Sequence, residues 1–344
     1  MDVPTWVWGA TVVGVLGFFV FDFYAHVRTP HEPTFRESAL WSAFYIALAL
    51  VFGLGLFFVW GADHGGEYFA GYVTEKSLSV DNLFVFLIIM TKFAVPRIYQ
   101  QKVLLVGVTI ALVLRGLFIW AGAAAITHFS WVFYIFGAFL VYTAIKLARE
   151  DHDSETPAQF HENRLLRTVR RVIPSTTEYH GDRLTVVHAG RRLATPMLVV
   201  MIAIGSTDVL FALDSIPAIF GLTKEPYIVF TTNAFALLGL RQLYFLIGGL
   251  LQRLVYLSEG LSVVLGFIGI KLILEALHSN ELPFINGGNH VSWAPQVPIW
   301  LSLTIILGTI TVATIASLVA TRRRARAANA EPVALVHKGD RDSD

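Results

Sequence analysis

The chain has 344 residues, 55% of them hydrophobic and only 15% charged, with a mean hydropathy of +0.61 and a net charge of +1. Soluble proteins of this length are about a quarter charged, so the composition excludes an ordinary soluble enzyme, and a charge this close to zero argues against a nucleic-acid partner. Cysteine is absent, which removes disulfides and thiolate metal sites from consideration.

Nine segments are long and apolar enough to cross a bilayer: 6–25, 38–60, 67–91, 102–126, 130–148, 196–220, 226–250, 260–278 and 297–320. The test is a hydrocarbon core of roughly 30 Å, which takes about 20 residues of helix. The first segment has neither a basic leader nor a small-residue cleavage site, so it reads as a retained helix. Lys and Arg concentrate on alternate connections: Arg28 and Arg36, then Lys92, Arg97 and Lys102, the 149–195 stretch, Arg253, and the TRRRAR run from Thr321. The opposite connections carry only Lys224. The positive-inside rule then places the N-terminus outside and the C-terminus in the cytoplasm of an inner (plasma) membrane.

The expected fold is an all-α polytopic membrane bundle of about nine helices. Its parts are two helices in 1–66, a three-helix unit in 67–150, a cytoplasmic linker in 151–195 and a second three-helix unit in 196–278. An outer loop with the last helix follows in 279–326, and a disordered tail in 327–344. Within the linker, RLLRTVRRVI (164–173) has the spacing of a small amphipathic element.

Four acids and four bases inside the spans carry the functional argument: Glu75, Lys76, Asp81, Arg115, Asp208, Asp214, Arg241 and Lys271. At mid-bilayer each costs about 2.5–3.5 kcal/mol on insertion scales, so each needs a partner, a wet cavity or a task. Their spacing repeats. Glu75-x5-Asp81 matches Asp208-x5-Asp214, SVDNL (79–83) matches ALDSI (212–216), LRGLF (114–118) matches LRQLY (240–244), and IKLARE (145–150) matches IKLILE (270–275). With three helices per unit, the second unit enters the membrane inverted, which is the architecture of many secondary transporters with a site at the repeat interface. Six residues turn a helix by about 600°, leaving the two acids of each helix roughly 120° apart. Breaks in both acid-bearing helices are therefore expected, at Pro217 in the second and among Thr74, Ser77 and Ser79 in the first.

At EKSLSVDNLFVF (75–86), STDVLFALDSIPAIF (206–220) and NAFALLGLRQLYFL (233–246) the chain resembles the TerC/Alx family of integral membrane proteins, over about residues 41–277. The resemblance implies divalent-metal homeostasis, with manganese export as the activity. It implies a metal site of Glu75, Asp81, Asp208 and Asp214 with the adjacent Asn82 and Asn233. The family name points to tellurite resistance, but tellurite is an anion that four carboxylates would repel. Oxygen ligands of this kind suit Mn²⁺, Ca²⁺ or Mg²⁺. Arg115, Arg241 and Lys271 are expected as charge partners of the acids, and His64 with Glu67 as surface decoration.

The expected protein is thus a transporter exporting Mn²⁺ as its substrate, with no resident cofactor and with proton antiport as its coupling. Its partners are the cation and the lipid bilayer. Two alternatives share the same residues: an accessory protein delivering metal to a partner protein machine, and an intramembrane enzyme. No nucleophile elbow, HExxH or phosphate-cradling glycine loop supports the enzyme.

Overall fold

A computed structural model describes residues 1–27, 31–129, 131–149, 179–188, 191–247, 255–278, 280, 282, 285–286, 289, 291 and 293–339. It is a bundle of membrane helices. In chain order these are α1 (Thr5–Asp22, continued by a π-helical turn Phe23–Val27), α2 (Phe35–Trp60), α3 (Ala62–Lys92), α4 (Arg97–His128) and α5 (Val132–Arg149). A hairpin of β1 (Thr185–His188) and β2 (Arg191–Ala194) precedes α6 (Pro196–Phe220), α7 (Pro226–Leu237), α8 (Leu240–Ile247), α9 (Leu257–His278) and α10 (Ile299–Gly339). Seven of these segments are long and apolar enough to span a membrane unaided. The two expected spans outside that group are α3, which is rich in polar residues, and 226–250, which is divided between α7 and α8.

Local chemistry explains the boundaries. At the start of α2, Thr34 Oγ1 accepts from the Glu37 amide at 3.2 Å while the Glu37 carboxylate accepts from the Thr34 amide, a capping box. Gly61, at φ +99°, is the whole connection between α2 and α3. Helices α6 and α7 both open on proline, whose missing amide proton costs nothing in a first turn. At the base of the β-hairpin, Lys102 donates to Asp182 at 2.6 Å and holds that carboxyl below its ordinary range.

The acid-bearing helices are not broken. Both α3 and α6 run continuously through their acids, and Pro217 falls in the last turn of α6. Two of the hydroxyls that suggested an interruption of α3 bond back to their own helix, Thr74 to Ala70 O at 2.8 Å and Ser77 to Val73 O at 2.8 Å, as Thr207 of α6 does to Ala203 O at 2.7 Å, whereas Ser79 Oγ is buried with no hydrogen-bond partner among the described residues. The break lies between α7 and α8, where Leu238 turns extended and Gly239 takes φ +77°. Both features of glycine are needed there, since a Cβ at 239 would also lie 2.9 Å from Tyr45 Cβ.

The described helices pack most closely as α5 on α9, α4 on α6 and α3 on α7, with α3 also meeting α6. Helices α5 and α9 cross antiparallel at bare backbone. A Cβ on Gly137 would lie 2.8 Å from Gly269 O, and one on Gly269 would lie 2.9 Å from Gly137 O. Gly137→Leu is therefore expected to lower the melting temperature in detergent by the equivalent of about 1–3 kcal/mol or to prevent folding. Gly266→Ala, whose new Cβ meets Ala144 at an ordinary 3.5 Å, is the control that leaves it unchanged. A Gly137→Leu protein as stable as its parent would contradict this crossing.

Helix α10 continues to Gly339, where the sequence alone suggests an unstructured tail from residue 327. The Ala and Arg residues after Thr321 are strong helix formers. The amphipathic stretch 164–173 lies outside the described residues.

Candidate metal centre

Arg115, midway along α4, is 1% exposed and lies among oxygens from three other helices. Its Nε and Nη2 fork onto Asp208 of α6, at 2.8 Å to Oδ2 and 3.2 Å to Oδ1. Its Nη1 donates to Glu75 of α3, to Asn233 Oδ1 of α7 at 2.8 Å, and to Ser215 Oγ of α6 at 3.3 Å. Glu75 and Asn233 are fully buried, and Asp208 nearly so. The Asn233 amide nitrogen donates to Val229 O at 3.2 Å, which turns its oxygen toward the guanidinium. One oxygen of the group, Glu75 Oε2, has no hydrogen-bond partner among the described residues. The cage is therefore four side chains presenting only oxygen to a single buried cation. It contains two carboxylates and one guanidinium, an excess of one negative charge.

The structure thus brings together Glu75, Asp208, Asn233 and Arg115 of the expected site. It places Asp214 and Asn82 elsewhere. Asp214, half-buried on α6, accepts from Thr143 of α5 at 3.2 Å, with Lys146 nearby. That placement follows from the 120° offset on an unbroken helix. Asp81 sits on α3, but its side chain lies outside what the structure describes. Asn82 is buried two turns along α3 from Glu75. Among the described residues no three His, Asp or Glu side chains are arranged to hold a metal ion by themselves.

Two expected charge partners serve elsewhere. Arg241 is held by Asp22, and Lys271 lines a cavity of about 570 Å³ with Glu67, Glu275, Lys224 and His64 near the start of α3. In that cavity Glu67 accepts from Thr223 at 2.6 Å and lies 3.4 Å from His64. Lys76 faces away from the acids as well. Its ammonium donates to Ala236 O at 3.0 Å, a carbonyl left free by the end of α7. Asp22 is the residue that sequence reasoning passed over, although it falls within the 6–25 span. An acid buried in an otherwise apolar helix was itself the signal.

Comparison with known proteins agrees with this architecture. The profile described as integral membrane protein TerC family matches residues 60–325. The membrane protein Rv2723 of Mycobacterium tuberculosis is 50% identical over 328 residues, covering 94% of this chain and 82% of that one. Alx of Photorhabdus laumondii, whose name proposes a membrane-bound redox modulator, is 38% identical across 78% of this chain and 85% of its own. The thylakoid membrane protein TERC of Arabidopsis thaliana is 43% identical, over 71% of this chain and 63% of that one. No solved structure matches. With a buried, charged centre at the meeting of four helices and this match over most of its length, the chain belongs to the TerC family of integral membrane proteins.

Proposed function

We propose that the chain exports a divalent metal cation, by preference Mn²⁺, across the plasma membrane, with its N-terminus outside. The observation that carries this reading is the oxygen-only cage closed on Arg115. Two carboxylates, a carboxamide and a hydroxyl are ligands for a hard cation, and a guanidinium is the cation they hold in its stead. The preference for manganese rests on the family resemblance, because these ligands serve Ca²⁺ equally well. Helix packing supports an inverted pair of units. Exchanging α3 with α6, α4 with α7–α8 and α5 with α9 leaves the main contacts unchanged.

Charge suggests the coupling. With Arg115 in place the cage carries one excess negative charge, which a single proton on Glu75 would neutralise. With Arg115 turned away, two carboxylates and a dication also sum to zero. Loading the metal therefore releases one proton and turns the arginine out of the cage, which keeps the cage itself neutral in both states, while the displaced guanidinium keeps its charge and must find an acceptor outside it. The result is metal–proton antiport. The chain has no cysteine, so a redox role like that in the name of the Alx relative would not run through its thiols.

The test is Mn²⁺ flux by the purified protein in liposomes. An imposed proton gradient is expected to drive Mn²⁺ uphill, and added Mn²⁺ to move protons the opposite way. Mn²⁺ flux indifferent to the gradient would remove the coupling, and no flux at all would remove the transport reading.

A further inference from the structure

We infer that Asp22, the last residue of α1, is a positioning residue for the Arg115 cage and acts through Arg241 and the α7–α8 break. The starting point is that the two repeat-related arginines sit in the same kind of cradle. Arg115 directs Nε and Nη2 onto one aspartate, Asp208, and Nη1 onto a carboxamide oxygen, that of Asn233. Arg241 directs Nε and Nη2 onto one aspartate, Asp22, at 3.2 and 2.7 Å, and Nη1 onto a carboxamide oxygen, that of Gln101. The donors correspond atom for atom. The acceptors do not come from corresponding places, because Asp22 belongs to α1, outside both units and outside the 60–325 segment that matches the family.

The cradles also differ in makeup. Glu75 gives the Arg115 cage a second acid. Around Asp22, among the described residues, the Tyr45 hydroxyl and the Gln242 amide both donate to Oδ1, each at 3.1 Å. The Asp22–Arg241 pair itself is nearly buried at 2.7 Å, so losing either member strands the other in low dielectric.

Its location gives that bond a task. Arg241 is the second residue of α8, just past the break at Leu238 and Gly239. On the near side of the break, Lys76 holds Ala236 O, and Tyr45 packs against Gly239 while bonding Asp22. A helix interrupted by a positive-φ glycine has no continuous backbone ladder to fix the direction of its second half. Asp22 supplies the missing constraint. By fixing α8 it also fixes the end of α7, which carries Asn233 into the cage.

The test uses the full-length chain in detergent and compares Asp22→Asn, Arg241→Gln and the double variant. Each single change strands one buried partner and is expected to lose stability. The double removes both charges and is expected to fold. In it, amide hydrogen exchange across 234–243 is expected to rise about tenfold or more, and Mn²⁺ affinity to fall about tenfold, as for the loss of a group that orients a metal ligand. A folded double variant with unchanged exchange there would overturn the inference, as would one that retains the parent's Mn²⁺ affinity. The metal arm rests on the transport reading. If the parent chain itself binds no Mn²⁺, that reading fails, and the exchange measurement still decides the role of Asp22.

Discussion

Arg115→Gln is expected to cost more stability than any other single change inside the bundle, about 3–5 kcal/mol. The substitution leaves Glu75 and Asp208 as two unpaired carboxylates with almost no exposure to solvent. It also removes five donated hydrogen bonds that join α4 to α3, α6 and α7. In detergent the variant should aggregate or melt far below its parent. Adding Asp208→Asn relieves part of the excess charge and should recover much of the loss, because residues in one network do not contribute additively. An Arg115→Gln protein with the parent's melting temperature would mean that the cage is hydrated and screened, and the charge argument for antiport would go with it.

Glu75→Gln should behave in the opposite way. It fixes position 75 in the neutral state that a protonated Glu75 has in the empty cage, while Asp208 still satisfies the arginine fork, so stability is expected to be retained or to rise. Transport, however, loses one of two carboxylate ligands and the proposed proton carrier together. Mn²⁺ flux is expected to fall about tenfold or more, since even groups behind a metal ligand are worth that much, and Mn²⁺-driven proton release should disappear. Measuring melting temperature and flux on the same preparation separates a functional acid from a structural one. A variant that is destabilised but transports normally when folded would return Glu75 to a purely architectural role.

The spans were legible because hydropathy and Lys/Arg placement are long-range averages that no single contact can upset. All of the cage but Ser215 was legible too: Glu75, Asp208 and Arg115 stand out as charged groups where lipid-soluble residues are required, and Asn233 came with the family resemblance. The placement of Asp214 away from Asp208 was not. The 120° offset within each acid pair is evident in the spacing, and only breaks at Pro217 and the hydroxyl residues would overcome it. Yet Thr74, Ser77 and Thr207 satisfy themselves on their own helices, α3 runs on through Ser79 although its hydroxyl has no partner among the described residues, and a proline in a last turn interrupts nothing. The true break, at Leu238 and Gly239 of LLGLRQL, depends on the Gly239 backbone and on Tyr45 packing against it, and neither has a periodic signature. Asp22 shows a different limit. A lone acid in a first helix has no repeat partner to draw attention to it, and its mate lies 219 residues away.

Gly61 leaves no slack between α2 and α3. A Cβ on Gly65 would lie within 3 Å of Phe57, so the two helices are tight against each other immediately beyond their joint. They can hinge on that single residue but cannot slide past one another. If α3 rocks to uncover Glu75, it must drag along α2, whose Tyr45 is bonded to Asp22. The smallest moving part of such a machine is therefore a pair of helices, and the lipid in contact with α2 must be displaced at every stroke. Turnover would then depend on bilayer stiffness, through a helix that contributes no ligand to the cage.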